Sequence, residues 1–266
     1  LDSIEDSTMS AKQKAAAFKR FVKIVRTLDR EGLTALGAEI LPFVPVAADR
    51  EMVAGFGPVL SEFASFDERS RRIAVRWMAT MASGMDRFSV KRIKTFKELD
   101  AYCYYVAGTV GHYLTDIFAY KFGLKHMAAF RKRCVDFGLL LQKTNIIRDF
   151  SRDFSEGRVF WPSELFERHG VSEQEALSAQ SATKTQAMLS EMVVDARKHI
   201  VATEEYLDTI PPELTGLREF CAIPLYMAIP TLEKCADNPA VFDPNARVKL
   251  SRTETAEILV RIQQGF

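Results

Sequence analysis

The sequence predicts an all-α bundle folded as a single domain over residues 1–266, on three observations. Nearly every long segment carries apolar residues at helical spacing, and none shows the period-two alternation of Val, Ile and Thr that a half-buried strand would need. Glycine and proline fall between these segments, where they stop helices. Several segments run to about twenty residues, longer than the ~10 to 14 common in globular proteins, and helices of that length bury their apolar stripes by packing side by side.

Taken in order, helices are predicted at 11–29, 49–64, 69–86, 96–122, 126–154, 181–207, 214–235 and 251–262. Gly123 closes the fourth, Gly157 and Pro162 follow the fifth, Pro211-Pro212 separates the sixth from the seventh, and Asn238-Pro239 follows the seventh. Composition is that of an ordinary globular chain, 47% hydrophobic and 27% charged. The net charge of +1, with Lys and Arg dispersed, provides no footprint for nucleic acid. Cys103, Cys134, Cys221 and Cys235 lack metal-ligand spacing, as do His112, His126, His169 and His199. Reduced, buried thiols are expected, which suits a cytoplasmic location. The longest uncharged apolar run, 220–232, is interrupted by Pro224 and Pro230 and is shorter than the ~20 residues of a membrane span. With no initiating methionine, and Leu1-Asp2 reading as mid-helix, the N-terminal part of the domain is expected to lie upstream of this chain.

Two aspartate pairs carry the chemical signal. Asp2 and Asp6, with Glu5 between them, and Asp149 and Asp153 each place two carboxylates one helical turn apart. Two such turns facing each other would make an acidic cleft that needs a cation, and Mg²⁺ suits oxygen ligands shared with substrate phosphate. Gln142, Asn145, Asp149 and Asp153 follow at steps of three, four and four, a single column on one helix face, with Leu141 beside it. Arg148, Arg152 and Arg158 bracket the second pair, either as phosphate forks or as partners of the acids. A lone DxxxD is more often a solvated face, and it is the recurrence that points to a diphosphate site.

Within 96–122, Gly108 and Gly111 lie in a helical pattern where each costs ~1 kcal/mol relative to Ala, so either a neighbouring helix passes close or a ligand lies along the backbone. Tyr102, Val106 and Val110 share a face of that helix. Farther on, Phe220-Cys-Ala-Ile-Pro224 reads either as a bent core helix or as an aromatic wall for a cation. No GxSxG or GxGxxG element is present.

Together YCYYVAGTVG from Tyr102, LLLQKTNIIRDFSRD from Leu139, GRVFWP from Gly157, FCAIP from Phe220 and the opening DSIED resemble the signatures of the squalene and phytoene synthase family, in order along almost the whole chain. The GRVFWP and FCAIP segments are more similar to its squalene branch. The resemblance implies an isoprenoid synthase fold with a central active-site cavity, and an Mg²⁺-dependent prenyltransferase. The implied reaction is head-to-head condensation of two farnesyl diphosphates to presqualene diphosphate, followed by NADPH-dependent rearrangement to squalene. Residue by residue it implies metal ligation by Asp2, Glu5, Asp6, Asn145, Asp149 and Asp153, and substrate contacts from Gln142, Arg148 and Arg158. It further implies a prenyl pocket lined by Val106, Ala107, Val110, Gly111 and Leu141, a steering role for Tyr102, and shielding of a later cation by Phe220. NADPH contacts are implied for Asn145, Arg148, Lys249 and Arg252. Two positions depart from the pattern: Ser7 stands where the family usually has a further Asp, and Ser251 where a second basic residue is expected. The same resemblance leaves open a synthase that makes dehydrosqualene or phytoene without reduction, and a non-catalytic assembly protein on the same fold. A monomer is expected, with peripheral membrane association to release an apolar product.

Overall fold

In this computed structural model, residues 1–125 and 127–265 are described. His126, the start of one predicted helix and one of the four histidines, lies outside them. Among the described residues every regular element is helical. The chain divides into two compact units, Leu1–Lys91 and Arg92–Phe266.

The first unit holds α1 (Asp2–Glu5), α2 (Ala11–Thr27), α3 (Arg30–Ile40), α4 (Ala47–Ala54), α5 (Phe56–Ser65) and α6 (Glu68–Phe88). Helix α2 starts on a capping box in which the Ser10 hydroxyl accepts from the Gln13 N–H while the Gln13 side chain accepts from the Ser10 N–H. Its apolar face packs on α6 and α3. Helix α3 is absent from the helices that the sequence predicts, and it contains both Gly32 and Gly37. Asp29 caps it by accepting from the Gly32 N–H at 2.8 Å, and Leu33, Leu36 and Ile40 bury one stripe. The segment predicted as one helix over 49–64 is two, divided at Gly55.

The second unit opens with α7 (Phe96–Cys103), a π-helical turn (Tyr104–Gly108) and α8 (Thr109–Phe122). There follow α9 (Met127–Arg148), α10 (Phe150–Ser155), α11 (Ser163–His169), α12 (Ala182–Arg197), α13 (Ile200–Thr209), α14 (Thr215–Cys235) and α15 (Arg252–Gln263). Helix α9 is central, packed against the π turn, α8, α12, α13 and α14. That is why its buried residues, from Phe130 and Cys134 to Leu140 and Ile147, surround it instead of forming one stripe. The predicted helix over 181–207 breaks into α12 and α13 at Lys198–His199, and α14 continues through both prolines.

The glycines of the 104–111 segment answer the question that the sequence left open: α9 passes against them. A Cβ on Gly111 would stand 2.0 Å from the Cys134 carbonyl oxygen, and one on Gly138 would stand 2.5 Å from the Ala107 backbone. Since backbone cannot swing aside as a side chain can, Gly111→Ala is expected to destabilise the fold by about 1 to 3 kcal/mol in chemical denaturation. Gly57→Ala, in a helix with nothing within 4 Å, serves as the control and is expected to be neutral or stabilising. Equal effects of the two changes would disprove the close approach.

Candidate active site

The column of Gln142, Asn145, Asp149 and Asp153 exists, but not on one unbroken helix as predicted. Helix α9 ends at Arg148, and Asp149, at φ −98° and ψ 13°, stands between it and α10. The turns nevertheless continue, because the Asp149 N–H donates to the Asn145 carbonyl and the Asp153 N–H to the Asp149 carbonyl, each at 2.9 Å. Gln142 is half-buried and Asn145 exposed, while both aspartates are buried at 8% exposure.

Of the two readings that the sequence left open for the bracketing arginines, the structure shows the second: they pair with these carboxylates. Arg148 Nε donates to Asp149 Oδ1 at 3.0 Å, and its Nη2 pairs with Oδ2. Arg152 reaches 3.5 Å from Asp149 and 3.9 Å from Asp153. Arg158 Nη2 donates to Asp153 Oδ1 at 2.8 Å and also lies 2.5 Å from Glu156. Burial raises the Asp149 carboxyl, but the bond from Arg148 and the charges of Arg148, Arg152 and Arg247 outweigh it and hold the group below the usual carboxylate range. At Asp153 burial prevails over Arg158 and Arg152, and the group sits above that range. Among the described residues no three His, Cys, Asp or Glu side chains gather into a metal-holding group. What this face offers is two carboxylates beside the Asn145 and Gln142 amides, all hard oxygen donors. That set fits Mg²⁺, which takes one or two protein carboxylates and completes its octahedron with water and phosphate.

Segment 157–162 ties the site elements together. Arg158 grips Asp153, Phe160 stacks on Tyr102 with ring centroids 5.0 Å apart, and Trp161, 1% exposed, packs on Phe150 at 4.2 Å. Tyr102 is itself only 4% exposed. The π turn begins two residues later. One extra residue in that turn offsets the face drawn from Tyr102 through Val106 to Val110, leaving Tyr102 buried, Val106 and Ala107 half-buried and Val110 39% exposed. Leu141 is half-buried on α9, whereas Gly111, assigned by resemblance to the pocket lining, turns its open side onto α9 as a packing residue. Phe220 is 53% exposed and meets Phe118 edge-on at 6.0 Å.

Within the first unit Asp2 and Asp6 occupy a single turn, closed by the Asp6 N–H donating to the Asp2 carbonyl at 2.8 Å. Both side chains are exposed and Glu5 is half-buried. The Glu5 carbonyl accepts from Lys14 Nζ at 2.5 Å. Ser7, the departure from the family pattern, is buried, and its hydroxyl donates to the Ile4 carbonyl at 2.8 Å, so it fastens this turn. At the other end Ser251 caps α15 in a capping box with Glu254, a role for which a basic side chain has no acceptor. Lys249 and Arg252 on either side of it are exposed.

Sequence reasoning missed two features. Arg247 acts on Asp149 from about a hundred residues away. Beneath the column, Lys143, 1% exposed, places its ammonium 2.5 Å from both Asp195 Oδ2 and Asp100 Oδ1 and 3.0 Å from His199 Nε2, while His199 Nδ1 lies 2.6 Å from Asp136. A lysine inside the apolar run LLLQKTNII was the available signal, but its partners lie on other helices and no spacing announces them.

The family model described as squalene/phytoene synthase matches residues 1–254. The chain is 32% identical to a squalene synthase of Dictyostelium discoideum, over 99% of this chain and 61% of that protein. It is 31% identical to one from Schizosaccharomyces pombe, over 98% and 56%. It thus spans little more than half the length of these relatives. Among solved structures, TcSQS in complex with the ligand E5700 superposes with a TM-score of 0.84 at 30% identity, over 97% of this chain and 73% of that one. A dehydrosqualene synthase, at TM-score 0.57 and 22% identity, shares the fold. A match along nearly the whole chain, with relatives above 30% identity, settles the lineage: this chain belongs to the squalene/phytoene synthase family.

Proposed function

We propose that the protein couples two farnesyl diphosphates head to head into presqualene diphosphate and, with NADPH, converts this to squalene. The observation that carries the reading is the junction made by residues 158–160, which joins the guanidinium-ringed aspartates to the buried Tyr102 through the Arg158–Asp153 pair and the Phe160–Tyr102 stack. A diphosphate leaving group and a carbocation would then be handled side by side.

Arg148, Arg152, Arg158 and Arg247 hold the diphosphate, since guanidinium groups now spent on carboxylates fit phosphate oxygens equally well. Asp149 and Asp153, with Asn145, and Asp2, Glu5 and Asp6 at the other motif, are the proposed Mg²⁺ ligands, with Gln142 beside them as a substrate contact, and the ion would supply Lewis-acid neutralisation of the departing diphosphate. Tyr102 steers the cation or relays a proton to the released diphosphate, since a free phenol, with a pKa of about 10, is a poor base at neutral pH. The Phe160 ring covers it, and with the half-buried Val106, Ala107 and Leu141 excludes the water that would quench a cation. Phe220 adds an aromatic face, which attracts positive charge without capturing it. NADPH supplies the hydride of the second half-reaction, and the exposed Lys249 and Arg252 are cations suited to its phosphates.

Incubation with farnesyl diphosphate and Mg²⁺ is expected to give presqualene diphosphate without NADPH and squalene with it. A more unsaturated hydrocarbon, formed regardless of NADPH, would reject the reductive step. No turnover would reject the enzyme.

A further inference from the structure

Lys143 is bound to two carboxylates that belong to different helices with different duties. Asp195 lies on α12, which carries no candidate site residue. Asp100 lies on α7, two residues before Tyr102, and presents Oδ1 to the ammonium at 2.5 Å while nearly half of its side chain reaches the surface. Lys143 itself stands between Gln142 and Asn145 on α9. One buried charge therefore spans the tyrosine helix and the aspartate helix. The π turn follows α7 at once, and its i→i+5 pattern changes the rotation of α7 relative to α8. At its start α7 is fastened elsewhere, with the Phe96 N–H donating to Glu164 of α11 at 2.8 Å. Leu99, Tyr102 and Cys103 of its last turn are buried, and Tyr102 also stacks on Phe160. Because the ammonium is only 1% exposed, separating Asp100 from it is costly, and the pair favours the register in which the two meet.

We propose that Asp100 is a positioning residue that holds Tyr102 in register with the aspartate column through the buried ammonium of Lys143. This rests on the proposed function for its kinetic consequence, though not for its structural one.

The test compares Asp100→Asn with Asp195→Asn, which remove one charge each from the same ammonium without changing side-chain shape. Asp100→Asn is expected to lower kcat for farnesyl diphosphate about tenfold or more at little change in KM, because a small misplacement of a reacting group is costly. Asp195→Asn should keep kcat near the parent's, even with a lower melting temperature. Amide hydrogen exchange over 96–108, on the full chain, should quicken in the first variant and not in the second. Equal loss of kcat in both, in step with their stability, or unchanged exchange over 96–108 in Asp100→Asn, would overturn the proposal. Should the parent protein fail to turn over farnesyl diphosphate, the functional reading falls, and the exchange comparison decides this inference on its own.

Discussion

Asp153→Asn is expected to cut turnover of farnesyl diphosphate about a thousandfold, some 4 kcal/mol of transition-state stabilisation, while the protein stays folded. The substitution keeps the shape of the side chain and leaves an oxygen to accept from Arg158, so the 158–160 junction survives. What disappears is one of the two carboxylate charges on this face. Without magnesium that buried charge costs the fold more than Arg158 and Arg152 return, since burial holds the carboxyl above its usual range. The melting temperature of the metal-free protein is therefore expected to hold or rise. Activity lost without stability lost is the signature of a group kept for chemistry. A variant with parental turnover at saturating Mg²⁺ would remove Asp153 from the site, and one that lost both together would make it a structural ion-pair partner.

Lys143→Met is expected to destabilise the protein by about 3 to 5 kcal/mol, read from denaturant midpoints. Methionine fills much the same volume, so the loss would come from leaving Asp195 buried without its main partner, and Asp100 with one oxygen turned inward. The pH dependence follows from the same contacts. Burial raises the Asp195 carboxyl, but the bonds from Lys143 and Lys198 outweigh it and hold the folded value below the ordinary one. A lowered carboxylate contributes stability that is present above the unfolded value of about 3.9 and is lost as pH falls through the folded value. The parent should therefore lose part of its margin over the variant in that acidic window. An equal gap at neutral and acidic pH would show that packing, and not charge, carries the effect.

Most long helices were legible because each is amphipathic in its own sequence and bounded by its own caps, as α2 and α6 are. Failures fell where local preference was overruled. Helix α3 went unpredicted, although Leu33, Leu36 and Ile40 supply a buried stripe, and the π turn inside 96–122 has no residue signature separate from an ordinary helix. For the site, spacing placed Gln142, Asn145, Asp149 and Asp153 on one face. It left Arg148, Arg152 and Arg158 open as phosphate forks or as partners of the acids, and the structure shows the pairing; Arg247 it did not place, because that approach depends on how the segment after α14 folds back.

By itself the sequence determined the all-helical class, the two acidic turns and the family, since periodicity and short motifs act over a few residues and survive any arrangement of helices. Tertiary structure alone decided which charges meet across different helices. Ion pairs such as Lys143 with Asp100 and Asp195, or the Tyr102–Phe160 stack, join residues about 40 to 60 positions apart, and no local rule fixes a contact that exists only once the helices have packed.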